Sequence, residues 1–342
     1  MNNLFPYKWK LSEGFPNKKI KKHGKKVFGT FVCGGGSTMG YKLSGFNHLG
    51  GVELDEKIAN IYKANHNPSY FYNIDLRNFN NLSSLNEELF NLDLLDGSPP
   101  CSSFSMAGNR EKDWQKNKRF MEGQKKQRLD DLVFVYCDTI KKLRPKVFLL
   151  ENVKGMIQGN AKAYVRKIVS ELESVDYKIQ IFLINSASLG VPQRRERVFI
   201  IGYKKNFKFP KLILNFNEKP ICLNEFSESH KYNDMTNVQF RDWKNQTSKD
   251  RNLSQVRKRV SGFTDYLLAG HEVCPTISAN GKYFLKKEPR WLTKNEFCSA
   301  GSFPTDYNFK NSKPQYIIGM SVPPIMTAQI ANQIYLQWLK KI

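Results

Sequence analysis

Short apolar runs alternate with amphipathic stretches through the first two thirds of the chain. Val27 to Val32 reads as a strand, broken by Cys33-Gly34-Gly35-Gly36-Ser37 ahead of a short helix. Gly50 to Leu54 reads as a second strand, Glu56 to Asn65 as a helix and Tyr70 to Asp75 as a third strand. Leu92 to Leu95 is a buried strand that ends at Gly97 and the pair Pro99-Pro100, where neither strand nor helix continues. From Leu129 to Leu143, the residues Leu129, Leu132, Val133, Tyr136, Ile140 and Leu143 share one helical face. Val147 to Leu150, Tyr177 to Leu183 and Val198 to Gly202 read as further strands, with a helix from Ala161 to Val175. Strands alternating with helices predict an α/β fold with a parallel sheet covered by helices on both faces.

After Tyr203 the alternation stops. Residues 204–290 are polar and basic and read as an inserted, mostly β or irregular domain. A Gly-Pro-Pro punctuated loop then leads to a last helix, Ile325 to Leu339, that packs back on the sheet. The expected organisation is an N-terminal basic arm at 1–26, a catalytic domain at 27–203, the insert at 204–290, a hinge segment at 291–315 and a returning loop and helix at 316–342.

Charge changes the picture more than composition does. The 342 residues carry a formal charge of +23, and self-repulsion on that scale points to a polyanionic partner, nucleic acid first. A lysine-rich compositional bias is the competing explanation. Arg241 to Arg259 holds seven basic residues against two acidic ones, so Arg241, Lys244, Arg251, Arg257, Lys258 and Arg259 are the candidate DNA contacts. The alternative is a solvated basic face. No apolar run approaches the ~20 residues of a membrane helix. Met1 to Lys26 lacks the apolar core of a secretion signal, so a cytoplasmic protein is expected. Six cysteines occur without a Cys-x-x-Cys spacing, which argues against a zinc site and against a disulfide framework.

Four segments could carry chemistry. Cys101 follows the Leu92–Leu95 strand, at the sheet edge where ligands of open α/β folds bind. It reads equally as a nucleophile or as a small buried thiol in a turn. The glycine loop at 33–36 and Glu53, about twenty residues on, suggest a nucleoside-bearing cofactor without choosing between a dinucleotide and S-adenosylmethionine. Glu151-Asn152-Val153 follows a buried strand, and Gln193 to Arg197 precedes another. Singly, each reads as a capping acid or a solvated loop.

Taken in order, these segments resemble the C5-cytosine DNA methyltransferases over residues 27–203 and 276–335. Phe31 to Gly36 resembles the cofactor loop of that family, and Glu53-Leu54-Asp55 and Ile74-Asp75-Leu76 its ribose- and adenine-binding segments. Pro100-Cys101 resembles the catalytic Pro-Cys, and Glu151-Asn152-Val153 and Gln193 to Arg197 the two following motifs. Thr276-Ile277 is similar to the pair closing the recognition domain. Leu292-Thr293 with Glu296 and Phe303-Pro304 resembles the hinge, and Gly319 to Pro323 the late cofactor loop. Cys33, Ser102, Ser299 and Met320 depart from the family pattern.

The resemblance implies a Rossmann-like domain and methyl transfer from S-adenosylmethionine to a flipped-out cytosine in double-stranded DNA. It implies Cys101 as nucleophile, Glu151 on the base edge, Arg195 on the O2 oxygen and Arg197 ordering the site or a phosphate. Cofactor contacts would come from Phe31, Cys33, Gly35, Glu53, Leu54, Asp75, Pro100, Leu132 and Met320, with no metal. Ser102 and Thr276 would join the basic cluster on DNA. A monomer, acting alone or beside a separate restriction endonuclease, is expected.

The rival readings are a tRNA methyltransferase on the same scaffold, a non-catalytic DNA-binding relative and a nicotinamide-dependent dehydrogenase. No Cys-Phe-Thr segment, usual in the tRNA enzymes, occurs: Cys222, Cys274 and Cys298 are followed by Leu, Pro and Ser.

Overall fold

The computed structural model describes residues 4–16, 20–100, 117–118, 127–128, 131–229, 234–258 and 265–342. Cys101, Ser102 and Arg259 lie outside the described residues, as do Lys18, Lys19 and the first turn expected at Leu129. The chain divides into two compact units. One comprises Asn17–Asn185, Glu196–Asn215 and Thr327–Ile342, the other Met1–Pro16, Ser186–Arg195 and Phe216–Met326.

The first unit is built on a seven-stranded sheet of β1 (Lys26–Thr30), β2 (Asn47–Val52), β3 (Tyr70–Tyr72), β4 (Leu94–Gly97), β5 (Val147–Val153), β6 (Tyr177–Asn185) and β7 (Glu196–Lys204). The spatial order is β3-β2-β1-β4-β5-β7-β6. Five strands pair in parallel, but β7 runs antiparallel to both of its neighbours, which corrects the all-parallel expectation. The cause is local. The connection from β6 to β7, residues 186–195, holds one 3-10 turn and a two-residue strand but no crossover helix, and a parallel return needs a dozen or more residues.

Helices α1 (Gly36–Leu43), α2 (Glu56–His66), α3 (Leu76–Asn80), α4 (Leu132–Leu143) and α5 (Lys162–Glu173) connect the strands. On α4, Leu132, Val133, Tyr136, Ile140 and Leu143 are all buried, as the periodicity predicts. Of these, Val133, Tyr136, Ile140 and Leu143 join Phe28, Leu49, Leu95, Phe148, Ile168, Val198 and Ile200 in one core. Each such side chain contributes about 1.5–3 kcal/mol on burial. The Tyr136 hydroxyl lies 2.9 Å from the Leu95 carbonyl oxygen and 2.8 Å from that of Leu149, bridging β4 and β5. A Cβ at Gly97 would meet the Tyr136 ring at 2.4 Å, so only glycine lets the strand end against it. The C-terminal Trp338 packs in the same unit, its Nε1 donating to Pro210 O at 2.8 Å.

The second unit has helices α6 (Asn237–Lys244), α7 (Leu253–Val256), α8 (Lys294–Gly301) and α9 (Pro314–Met320), and α10 (Pro324–Gln337) follows after a three-residue break, most of it in the first unit. Tyr266–Leu268 pairs in parallel with Tyr283–Leu285. A small core of Leu253, Leu267 and Phe284 is flanked by Trp243 and Trp291. Thr293 and Glu296 form a capping box on α8. The Glu296 carboxylate also takes both terminal nitrogens of buried Arg290, at 2.8 and 2.9 Å. Residues 4–16 pack onto this unit rather than trailing as an arm. Trp9 Nε1 donates to Ser302 O at 3.1 Å, and the Leu11 and Ser12 amides donate to the Asp306 carboxylate at 2.7 and 2.9 Å.

Candidate active site

In the sheet unit, Phe31, Cys33, Gly35, Glu53 and Leu54 follow the carboxyl ends of β1 and β2. The chain leaves β1 with Phe31 at φ 56° and Cys33 at φ 47°, both left-handed, and turns into α1 through Gly35 at φ 72°. The Cys33 amide donates to Glu53 Oε2 at 3.0 Å, and the Asp55 amide donates to Oε1 at 3.0 Å. Burial pushes the Glu53 carboxyl up to about 7, against the pull of these backbone donors. Asn73 Nδ2 donates to the Leu54 carbonyl at 3.1 Å and fixes the turn after β2. Asp75 caps α3 by accepting from the Arg77 amide at 2.8 Å, and its carboxylate pairs with the Arg77 guanidinium at 3.1 Å. Leu132 is buried at the start of α4.

The second cluster lies at the ends of β4 and β5. Glu151 is inside β5 rather than after it, because the antiparallel ladder with β7 carries the strand on past the apolar run to Val153. Its carboxylate oxygen lies 3.0 Å from Arg197 Nε, and both side chains are about nine-tenths enclosed. Asn152 Nδ2 donates to Pro99 O at 3.2 Å, holding the chain just ahead of Pro100-Cys101. Asp96, near the end of β4, accepts from the Tyr41 hydroxyl at 3.0 Å, and burial pushes its carboxyl up to about 7. Sequence reasoning assigned nothing to Asp96 and no contact to Asn152. The signal available was their position, one at the end of the strand before the Pro-Pro turn and one beside Glu151.

In the second unit, Arg195 is buried, its Nη1 donating to Ile277 O and its Nη2 to Gly319 O, both at 3.0 Å. The two arginines therefore make different contacts within the protein. Arg197 holds the carboxylate contact, and Arg195 braces main-chain carbonyls. Gln193 Nε2 donates to Ala300 O at 3.2 Å and its Oε1 accepts from the Ile277 amide at 3.0 Å. Thr276 Oγ1 donates to Arg194 O at 2.7 Å, closing the short pairing of Gln193–Arg194 with Cys274–Pro275. Met320, the last residue of α9, is partly exposed.

The basic candidates are partly compensated. Arg257 pairs with Asp242, which lies 3.4 Å from Arg241. Arg251 Nη1 meets both Glu272 oxygens at 2.5 and 2.6 Å. Lys244 sits over the Phe240 ring at 4.5 Å. Arg241 and Arg251 remain 68% and 63% exposed. Among the described residues no cluster could hold a metal ion, and no helix is long and apolar enough to cross a membrane.

The family model of the C-5 cytosine-specific DNA methylase matches residues 26–336. The chain belongs to that family. The C-5 cytosine-specific DNA methylase described here is 27% identical over 333 residues to the type II methyltransferase M1.HphI of Haemophilus parahaemolyticus, covering 89% of this chain and 85% of that one. It is 34% identical over 190 residues to M.FnuDI of Fusobacterium nucleatum, spanning 54% of this chain and 50% of that protein. A putative DNA modification methyltransferase encoded within an Escherichia coli prophage shares the fold, with a TM-score of 0.62 and 20% identity over 92% of this chain and 99% of that one. So does a mutant of the DNMT2 protein of Spodoptera frugiperda, with a TM-score of 0.64 and 15% identity over 91% and 100%. As a member of its family the methylase is an enzyme acting on cytosine in DNA with a methyl donor.

Proposed function

We propose that this methylase transfers a methyl group from S-adenosylmethionine to C5 of a cytosine flipped out of a specific duplex sequence, through a covalent bond to Cys101. The observation that carries the reading is the enclosed Glu151–Arg197 contact at 3.0 Å, one strand from the Pro99 carbonyl that Asn152 holds. A carboxylate and a guanidinium fixed together offer an acceptor and a donor to the edge of a single base.

The glycine loop and Glu53 fit the cofactor. Each Glu53 oxygen already accepts one backbone amide and keeps a lone pair for a ribose hydroxyl. Bound there, S-adenosylmethionine supplies an electrophilic methyl group. Phe31, Cys33, Gly35, Leu54 and Asp75 would line its nucleoside part, with Pro100, Leu132 and Met320 as further contacts. The Cys101 thiolate adds to C6 of cytosine, which gives C5 carbanion character. Glu151 accepts from the exocyclic amine and shares a proton with N3, and Arg197 stabilises the charge drawn toward O2. Arg195 keeps its neighbouring loop in register through Ile277 and Gly319. Once C5 carries the methyl group, a base takes the C5 proton, the C5–C6 double bond re-forms and Cys101 leaves as thiolate. Because C6 is unreachable inside a duplex, the base must leave the stack. Ser102, Thr276 and the basic residues at 241–259 are proposed to grip the flanking DNA, with the chain acting as a monomer. The type II relatives are compatible with a separate endonuclease partner.

The test is Cys101→Ala with labelled methyl transfer to DNA and, in parallel, to tRNA. The variant should lose transfer and keep DNA binding, and the wild type should form a denaturant-stable adduct with DNA carrying 5-fluorocytosine. Appreciable turnover by the alanine variant, or transfer to tRNA alone, would overturn the reading.

A further inference from the structure

We infer that His66 is a positioning residue for the cofactor loop, setting the glycine turn from behind with its imidazole ring. The inference rests on the reading of that loop as the cofactor site. His66 closes α2 and is 4% exposed. Its Nε2 lies 3.4 Å from the Gly34 carbonyl oxygen. A carbonyl can only accept, so the ring nitrogen in that contact carries the proton. A Cβ built on Gly35 would lie 2.0 Å from Nε2 and 2.5 Å from Cδ2. Ring and loop backbone are therefore in direct contact, and Gly35 is required twice over, by its φ of 72° and by the ring behind it.

The ring itself is held from several sides. Its centroid is 4.7 Å from that of Tyr62, whose hydroxyl lies 3.0 Å from Thr38 Oγ1 in α1. Lys42, also in α1, donates Nζ to the His66 carbonyl at 3.0 Å. Burial, reinforced by the Lys42 charge, pushes the imidazole down to about 3, so it stays neutral and keeps a single N–H. One histidine thus ties the end of α2 to α1 and to the turn between β1 and α1. A loop that binds by presenting backbone N–H groups depends on their being aimed before the ligand arrives. His66 supplies that aim without reaching the ligand.

The experiment compares the full-length wild type with His66→Ala, His66→Phe and His66→Gln. S-adenosylmethionine affinity is read by calorimetry, DNA affinity by titration, and KM and kcat at saturating cofactor by methyl transfer. The alanine and phenylalanine variants should bind S-adenosylmethionine about five- to tenfold more weakly, the effect of one hydrogen bond and its ordering. Saturating kcat and DNA affinity should stay within about twofold of wild type, since the proposed role acts only through the cofactor loop. Glutamine, which can donate an amide N–H to Gly34, should recover much of the affinity, whereas phenylalanine, which only fills space, should not. A merely structural residue would lower the melting temperature of all three variants without moving KM. Should the alanine variant not fold, Lys42→Met removes the bond to the His66 carbonyl without opening a cavity and should weaken cofactor binding several-fold. Folded alanine and phenylalanine variants with wild-type cofactor affinity would overturn the inference, as would a glutamine variant no better than phenylalanine. If the wild type itself binds no S-adenosylmethionine, the reading of the loop falls first.

Discussion

The Glu151 carboxylate and the Arg197 guanidinium face each other across the antiparallel pairing of β5 and β7, with Nε 3.0 Å from Oε1. The direction of β7 makes the contact possible. Running back along β5, it sets Arg197 opposite Val153, one pleat from the carboxylate. Breaking one side of such an enclosed pair leaves the other charge uncompensated.

The two arginines should therefore separate under mutation. Arg197→Gln should cut turnover about 100-fold or more, the usual scale for losing a fixed donor at a developing charge. Arg195→Lys cannot reach both Ile277 and Gly319 carbonyls with one ammonium, so it should mainly lower the melting temperature, by about 2–4 °C for each kcal/mol lost. Assays well below the melting transition distinguish the two. A stable but inactive Arg195→Lys enzyme beside an active Arg197→Gln enzyme would restore the original assignment.

Cofactor affinity should depend on pH near neutrality. The Glu53 carboxyl is pushed up to about 7 by burial, above the 4.5 of an ordinary glutamate. Between those values the folded state binds more protons than the unfolded one, so this group's contribution to stability is full below pH 4.5 and is lost as pH rises through 7. Ribose hydroxyls need acceptors, so binding favours the ionised form and releases a proton. Affinity should rise from pH 6 to pH 8, and Glu53→Gln should be weaker and flat. Calorimetry in buffers of differing ionisation heat measures the proton directly, and no release at pH 6.5 would count against the role.

The basic residues should sort by their partners. Arg241 and Arg251 keep more than half of their side chains in solvent. Replacing either with alanine should weaken binding to all duplexes and reduce the salt dependence by about one counterion. Arg257, paired with Asp242 and largely enclosed, should change stability instead. Affinities measured against salt on target and scrambled duplexes give the slopes. Equal slopes for Arg241→Ala, Arg251→Ala and wild type would move DNA contact elsewhere in the chain.

Much of this architecture is legible from periodicity. The buried face of α4 follows from Leu132, Val133, Tyr136, Ile140 and Leu143 alone, because apolar spacing and burial share one cause. The glycine loop and Glu53 are legible because the turn needs left-handed backbone and the acid ends a strand. The reversed β7 is not, since direction depends on the length and path of a connection rather than on the strand's own residues. Neither are the contrasting contacts of Arg195 and Arg197. They sit two residues apart in one motif, and only the pairing of β7 and the carbonyls of Ile277 and Gly319 decide what each touches. Asp96 was invisible because a buried carboxylate in a strand has no pattern until its tyrosine partner, 55 positions away, is known.

The chain crosses between its two compact units five times, after residues 16, 185, 195, 215 and 326. Neither unit is a contiguous fragment, so limited proteolysis or truncation cannot release either one intact. An exchange of residues 216–326 with a relative would leave behind Met1–Pro16 and Ser186–Arg195, which belong to the same unit. Such a chimera would keep Trp9 and Arg195 from one parent while replacing their acceptors at Ser302, Ile277 and Gly319 with those of the other. Replacing this unit as a whole therefore requires three grafted segments rather than one.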